Sequence, residues 1–178
     1  MALKLRAARE ADAATIASLH VASWRDAYRG ILDDDFLDGP AETVTARHWA
    51  IALTRRPIPG IVLLASLGTE PAGFIAARRQ GMTAVVENLH VRPGLRGAGI
   101  GRRLLGAAAQ RLRGRGCTGA EVGILAANIG AVRFCGALGA RIGPEEPREA
   151  FGQKVAGRLC SWPEMDILIQ AVAQPKAP

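Results

Sequence analysis

Three cysteines, one tyrosine, and three lysines against twenty arginines make this 178-residue chain poor in several kinds of chemistry. Cys117, Cys135 and Cys160 are odd in number and form no Cys-x-x-Cys pair, so neither a disulfide framework nor a zinc knuckle is indicated. No metal site is expected. No stretch approaches the ~20 apolar residues that span a bilayer, so no membrane partner is expected. The start, Met-Ala-Leu-Lys-Leu-Arg-Ala-Ala-Arg-Glu, has no signal-type apolar core, and a cytoplasmic protein with reduced thiols is the expectation. The net charge of +7 would suit nucleic acid, yet the arginines are scattered and aromatics to stack bases are few, which argues against that partner. Repeats and linkers are absent as well. The length suits one domain with a sizeable core, expected over 1–172, with a disordered tail over 173–178.

The patterning is an α/β succession. Leu3 and Leu5 alternate with Lys4 and Arg6 as a first strand, and residues 10–29 carry helix spacing through Ile16, Leu19, Val21, Trp24 and Ala27. Asp33-Asp34-Asp35 reads as a loop, and Pro40 suits the first turn of a second helix reaching about Thr54. Ile61 to Leu67 and Ala72 to Ala77 read as a hairpin, and residues 83–91 as a strand. A strand is expected from Glu121 to Ala127, a loop from Pro144 through Gly152, and a last strand from Val155 to Ile169 interrupted by Pro163.

After the 83–91 strand come Pro93-Gly94 and then Arg96-Gly97-Ala98-Gly99, leading into Ile100, Leu104, Leu105, Ala108 and Leu112 at helical spacing. Gly97, Gly99 and Gly101 let the backbone approach a ligand, and the start of a helix favours anions. Arg92, Arg96, Arg102 and Arg103 crowd that start with no Asp or Glu nearby, so an anion is the expected partner. A Walker A loop fails because Ile100-Gly101 stand where Lys-Ser is needed, and Gly-x-Gly-x-x-Gly fails at Arg102. The short glycine loop of methyltransferases fits the glycines, but that loop usually opens the first βαβ unit after an acidic residue. Arg96-x-x-Gly99-x-Gly101 resembles the coenzyme A pyrophosphate loop of the GNAT superfamily of N-acyltransferases. A second segment, Asn128-x-x-Ala131-x-x-Phe134-Cys135-x-x-x-Gly139-Ala140, is similar to that superfamily's later Asn-x-x-Ala-x-x-Phe-Tyr-x-x-x-Gly-Phe. Asn128 would cap the helix that follows, and Gly139 would stop it.

The resemblance implies a GNAT-type mixed, mostly antiparallel twisted sheet of about seven strands flanked by about four helices. It also implies transfer of an acetyl group from acetyl-CoA to a primary amine of a small molecule or peptide, by direct attack in a ternary complex. Homodimers are common in that superfamily. The implied cofactor-binding residues are Leu89, His90, Val91, Arg96, Gly97, Ala98, Gly99, Ile100, Gly101, Arg102, Asn128, Ala131 and Phe134. Glu87 is the candidate general base, on the strand entering the loop. His90 has a suitable ordinary pKa but faces the other side of a regular strand. Cys135 stands where many relatives carry the tyrosine assigned to protonate the departing sulfur, and it reads either as a weak acid or as a small buried filler. Trp24 and Tyr28, four apart on one helix, are candidates for the acceptor side; Asp26 or Asp33–Asp35 at its mouth would favour a cationic amine. His20 and His48 read as ordinary helix residues. A non-catalytic acyl-CoA sensor that has lost its acid is the alternative function.

Overall fold

A computed structural model of the chain describes residues 2–55, 58 and 60–174. Among them are eight strands, six α-helices and a short 3-10 turn. The order is β1 (Leu3–Ala7), the 3-10 turn (Glu10–Asp12), α1 (Ala13–Ala27), α2 (Asp34–Asp38), α3 (Pro40–Thr54), β2 (Ile61–Leu67), β3 (Glu70–Gln80) and β4 (Thr83–Val91). Then follow α4 (Ile100–Arg113), β5 (Gly119–Leu125), α5 (Ile129–Ala137), β6 (Arg141–Ile142), β7 (Glu146–Ala150), β8 (Gln153–Trp162) and α6 (Met165–Ala173). Strand order in the sheet is β1-β2-β3-β4-β5-β8-β6, with β7 also on β8. β4 and β5 pair parallel, whereas β1–β2, β2–β3, β5–β8, β6–β8 and β7–β8 are antiparallel. The mixed, mostly antiparallel architecture expected from the sequence is therefore present, with one strand and two helices more than anticipated.

The chain divides into two compact units, Met1–Ala77 with Asn88–Leu105, and Arg78–Glu87 with Gly106–Pro178. In the first, α1 turns Ile16, Ala17 and Leu19 onto Trp49 and Leu53 of α3, Val62 and Leu64 of β2, and Phe74 and Ala76 of β3. The three- and four-residue spacing on the helices and the alternation on the strands bring these side chains to one core. α2 occupies part of the expected acidic loop. Leu37 is fully buried and its carbonyl accepts from Arg25 Nε at 2.8 Å, while Arg29 pairs with Asp34 at 3.1 Å and Asp38 at 2.8 Å. Arg25 of α1 and Arg29 just beyond it thus hold a five-residue helix too short to persist alone.

In the second unit, α4 buries Ala108, Ala109 and Leu112, and Gly106 lies so close to α6 that an added Cβ would stand 2.8 Å from Val172 Cγ2. Trp162 is fully buried and its indole N–H donates to the Leu138 carbonyl at 2.8 Å, tying the end of α5 to β8. Two sequence expectations are corrected here. The last strand stops at Trp162 rather than Ile169, because Pro163 brings no N–H to the ladder and Met165 and Leu168, three apart, bury the face of α6 instead. The expected loop over 144–152 contains β7, whose Glu146–Ala150 pairs with Gln153–Gly157 around Phe151-Gly152. Both turn residues have positive φ, 56° and 74°, as a primed two-residue hairpin requires. Glu-Pro-Arg-Glu-Ala has neither apolar alternation nor strong β-formers, so nothing local announced that strand. Ala173 ends α6, and residues 175–178 of the expected tail lie outside the described residues.

Candidate functional site

β4 ends at Val91 and α4 begins at Ile100, so the glycine segment is a loop feeding a helix start, as its sequence suggests. Gly94, Gly97 and Gly99 adopt φ of 82°, 84° and 80°, conformations that an L side chain enters only at a cost of roughly 1–2 kcal/mol. A Cβ at any of the three would meet nothing within 4 Å, so glycine is needed here for backbone angle and for open space in front of the loop. The N–H groups of residues 96–99 donate to no backbone carbonyl among the described residues. Successive amides without a backbone acceptor, two left-handed glycines and a helix start without acidic side chains are features that favour an anion. Ile100 is 2% exposed and anchors α4 in the core, which leaves only its backbone to serve a ligand. Gly97 and Ala98 are exposed, and Gly99, Gly101 and Arg102 half-buried.

Arg96 does not reach out from this loop. Its guanidinium pairs with the Asp26 carboxylate on α1 and donates to Ser23 Oγ at 3.3 Å and the Ser23 carbonyl at 3.4 Å. The same Ser23 Oγ lies 2.9 Å from His90 Nδ1 on β4. Beside them is an aromatic cluster in which the His20 ring lies 4.3 Å from Trp24, 4.4 Å from His90 and 5.5 Å from Phe74. Trp49 donates its indole N–H to His20 Nδ1 at 3.0 Å. Burial, then the neighbouring His90 and His48, holds the His20 pKa down to about 2; burial, then Arg96, holds that of His90 to about 3. Both imidazoles are neutral at any ordinary pH. Trp24 is buried against His20, and half-buried Tyr28 follows at 6.3 Å, so the expected aromatic pair is present with Trp24 largely a core residue. Leu89 and Val91 are half-buried.

The second unit carries the remaining sequence candidates. Glu87 is exposed, its carboxylate 2.6 Å from Arg78 Nε. Asn128 caps α5 as expected, its side-chain oxygen accepting the Ala131 N–H at 3.2 Å. Parallel pairing of β4 with β5 runs from Thr83–Gly119 to Val86–Val122 and stops, so that beyond it Gly123–Leu125 pair, among the described residues, with β8 alone. Val122, Ile124, Leu125, Ala131, Val132 and Phe134 remain half-buried, an apolar surface on β5 and α5 not fully covered by protein. Cys135 is 3% exposed, and burial, then neighbouring Cys160, pushes its thiol up to about 12.

The model of the acetyltransferase (GNAT) family matches residues 9–140, from the 3-10 turn through the end of α5. The chain belongs to this family. The GNAT fold also returns in solved structures. A GCN5-related N-acetyltransferase from Rhodopseudomonas palustris shares 21% identity at a TM-score of 0.73, over 91% of this chain and 98% of that one. PaiA N-acetyltransferase from Thermoplasma acidophilum, solved with coenzyme A, shares 17% at 0.71 over 89% and 98%. YncA from Salmonella typhimurium, solved with its cofactor acetyl-CoA, shares 20% at 0.69 over 100% and 98%. No curated protein sequence matches the chain. At these identities the structures speak for the GNAT fold alone. The GNAT motif residues are legible in the sequence; the pairing of Ser23 with His90 and of Trp49 with His20 is not. Their contacts join residues 67 and 29 positions apart, and no local pattern encodes such pairings.

Proposed function

We propose that this protein is an acyl-CoA-dependent N-acetyltransferase that moves an acetyl group from acetyl-CoA to a primary amine of a small molecule or peptide within a ternary complex. The observation that carries the reading is the loop from Arg96 to Gly101, whose open amides and left-handed glycines begin a helix with no acidic residue in its first turn. These features suit a diphosphate. The amides of Gly97, Ala98, Gly99, Ile100 and Gly101, with Arg102, would hold it, and Arg96 braces the loop from behind by way of Asp26. Asn128, Ala131 and Phe134 would flank the pantetheine arm, for which the uncovered apolar surface of α5 is chemically apt. Acetyl-CoA supplies an acyl carbon activated by a thiolate leaving group with a pKa of roughly 8.5.

Within the chain, backbone N–H groups of Leu89 to Val91 would polarise the acyl carbonyl, the kind of fixed donor that usually contributes most. Glu87 is the only carboxylate on β4, and in this reading it takes the proton of the incoming ammonium once its pair with Arg78 opens. Cys135 fills the place of the family tyrosine without its chemistry, since a thiol held near 12 is a poor proton donor to a thiolate of roughly 8.5. Water returns that proton. The same substitution favours a second reading, an acyl-CoA sensor without turnover. Release of coenzyme A thiol from acetyl-CoA across a panel of small and peptide amines separates the two: turnover on any amine supports the enzyme, and tight binding with none supports the sensor. Binding of S-adenosylmethionine in place of acetyl-CoA would overturn both.

A further inference from the structure

Ser23 lies in the interior of α1, 3% exposed, where a helical hydroxyl ordinarily donates back to the preceding turn, as Thr45 does to the Ala41 carbonyl at 2.9 Å. Ser23 makes no such bond; its hydroxyl meets Arg96 at 3.3 Å and His90 Nδ1 at 2.9 Å. A guanidinium can only donate, so Arg96 occupies a lone pair of Ser23 Oγ. Were the second lone pair to take a His90 Nδ1–H, the hydroxyl proton would have no acceptor among the described residues, so the arrangement that satisfies both groups has Ser23 donating to His90 Nδ1. In that arrangement His90 carries its own proton on Nε2, which bonds to nothing among the described residues. The tilted imidazole 4.4 Å away is fixed in the same sense: an indole only donates, so His20 accepts at Nδ1 and bears hydrogen at Nε2, an atom that is buried and has no partner among the described residues. Asp26 completes the chain by anchoring Arg96.

We propose that His90, through Nε2–H, donates a hydrogen bond to an sp² oxygen in the reaction, and that Ser23, Arg96 and Asp26 are positioning residues that fix its tautomer. The role, though not the tautomer, rests on the acyltransferase reading. With no lone pair on Nε2, His90 is not the base, and no proton leaves it. The oxygen is either the carbonyl of the thioester or a carbonyl on the acceptor, and the two sources can be told apart.

Long-range proton–nitrogen correlation on the full chain labelled with ¹⁵N-histidine reads the nitrogens directly. At pH 7.5, His90 Nδ1 should report as an unprotonated acceptor and Nε2 as protonated, with no imidazolium at pH 6. Ser23→Ala should lose this bias and Ser23→Thr keep it. A shift of Nε2–H with acetyl-CoA but not with S-ethyl-CoA, which lacks the carbonyl, identifies the thioester; a shift with benzamide but not benzylamine identifies the acceptor. In turnover, His90→Phe then lowers kcat about 10²- to 10³-fold in the first case and chiefly raises the amine KM in the second. An Nδ1–H tautomer, an imidazolium at pH 6, or indifference of Nε2–H to every carbonyl probe overturns the proposal. Failure of both coenzyme A thioester and thioether to bind would instead sink the acyltransferase reading, leaving the tautomer and benzamide results to stand or fall separately.

Discussion

Gly99 allows backbone and charge effects at the loop to be separated. Its φ is 80° and a Cβ there touches nothing, so Gly99→Ala introduces conformational strain without a clash. That strain, about 1–2 kcal/mol, should appear as a fall in Tm of about 2–8 °C for a chain of this size. Gly99→Glu adds the same strain and also one negative charge beside the proposed diphosphate. At about 6 Å, the two negative charges of a diphosphate together repel the glutamate by about 1.4 kcal/mol in bulk water and about four times that near a protein surface. The glutamate variant should therefore match the alanine variant in Tm and bind acetyl-CoA at least about tenfold more weakly than it. The difference should shrink at 1 M salt, where the screening length falls to about 3 Å. Calorimetric titration of both variants at two salt concentrations measures all of this. Equal affinity of the two variants, or a gap indifferent to salt, would mean the loop does not hold a diphosphate.

Glu87→Gln should lower kcat about 10²-fold and leave acetyl-CoA affinity unchanged; a loss under threefold in steady-state turnover would give the proton transfer to water. Both neutral histidines make the fold sensitive to acid. Their folded pKa values of about 2 and 3 lie below an unfolded value near 6.5, so their contribution is complete above pH 6.5 and declines as pH falls toward 3. Denaturant midpoints from pH 7.5 to 4.5 should reveal a decline approaching about 1.4 kcal/mol per pH unit for each histidine, and His20→Gln should flatten it; an unchanged slope in that variant would refute the assignment. Gly73→Ala should destabilise by about 1–3 kcal/mol despite its ordinary backbone angle, because the new methyl carbon would stand 2.6 Å from the His90 carbonyl. An unaltered midpoint in denaturant would show that β4 has room to move there.

What sequence disclosed and what it withheld follow from the range of the interactions. Pro40 and Thr54 bound α3 as expected, because the proline and the apolar spacing are local. Asn128 reads as a cap since its partner, Ala131, is three residues on. The segment after Pro163 misled because Ile167-Leu168-Ile169 resembles a strand, and only the burial of Met165 and Leu168 decides for helix. Arg96 has a partner that no local pattern shows. As a cation beside a phosphate loop it reads as a ligand, while its partner Asp26 sits 70 residues away on α1. The motif marked a loop between a strand and a helix, which is where the segment lies, and could not say which way that side chain turns.

Cys117, Cys135 and Cys160 are each no more than 3% exposed. An aromatic disulfide that colours on reacting with thiols should hence be almost silent toward the native protein, since access to these sulfurs is closed. In a continuous assay, the colour would count product molecules alone. With substrates left out, its slow rise would clock how often the folded chain opens.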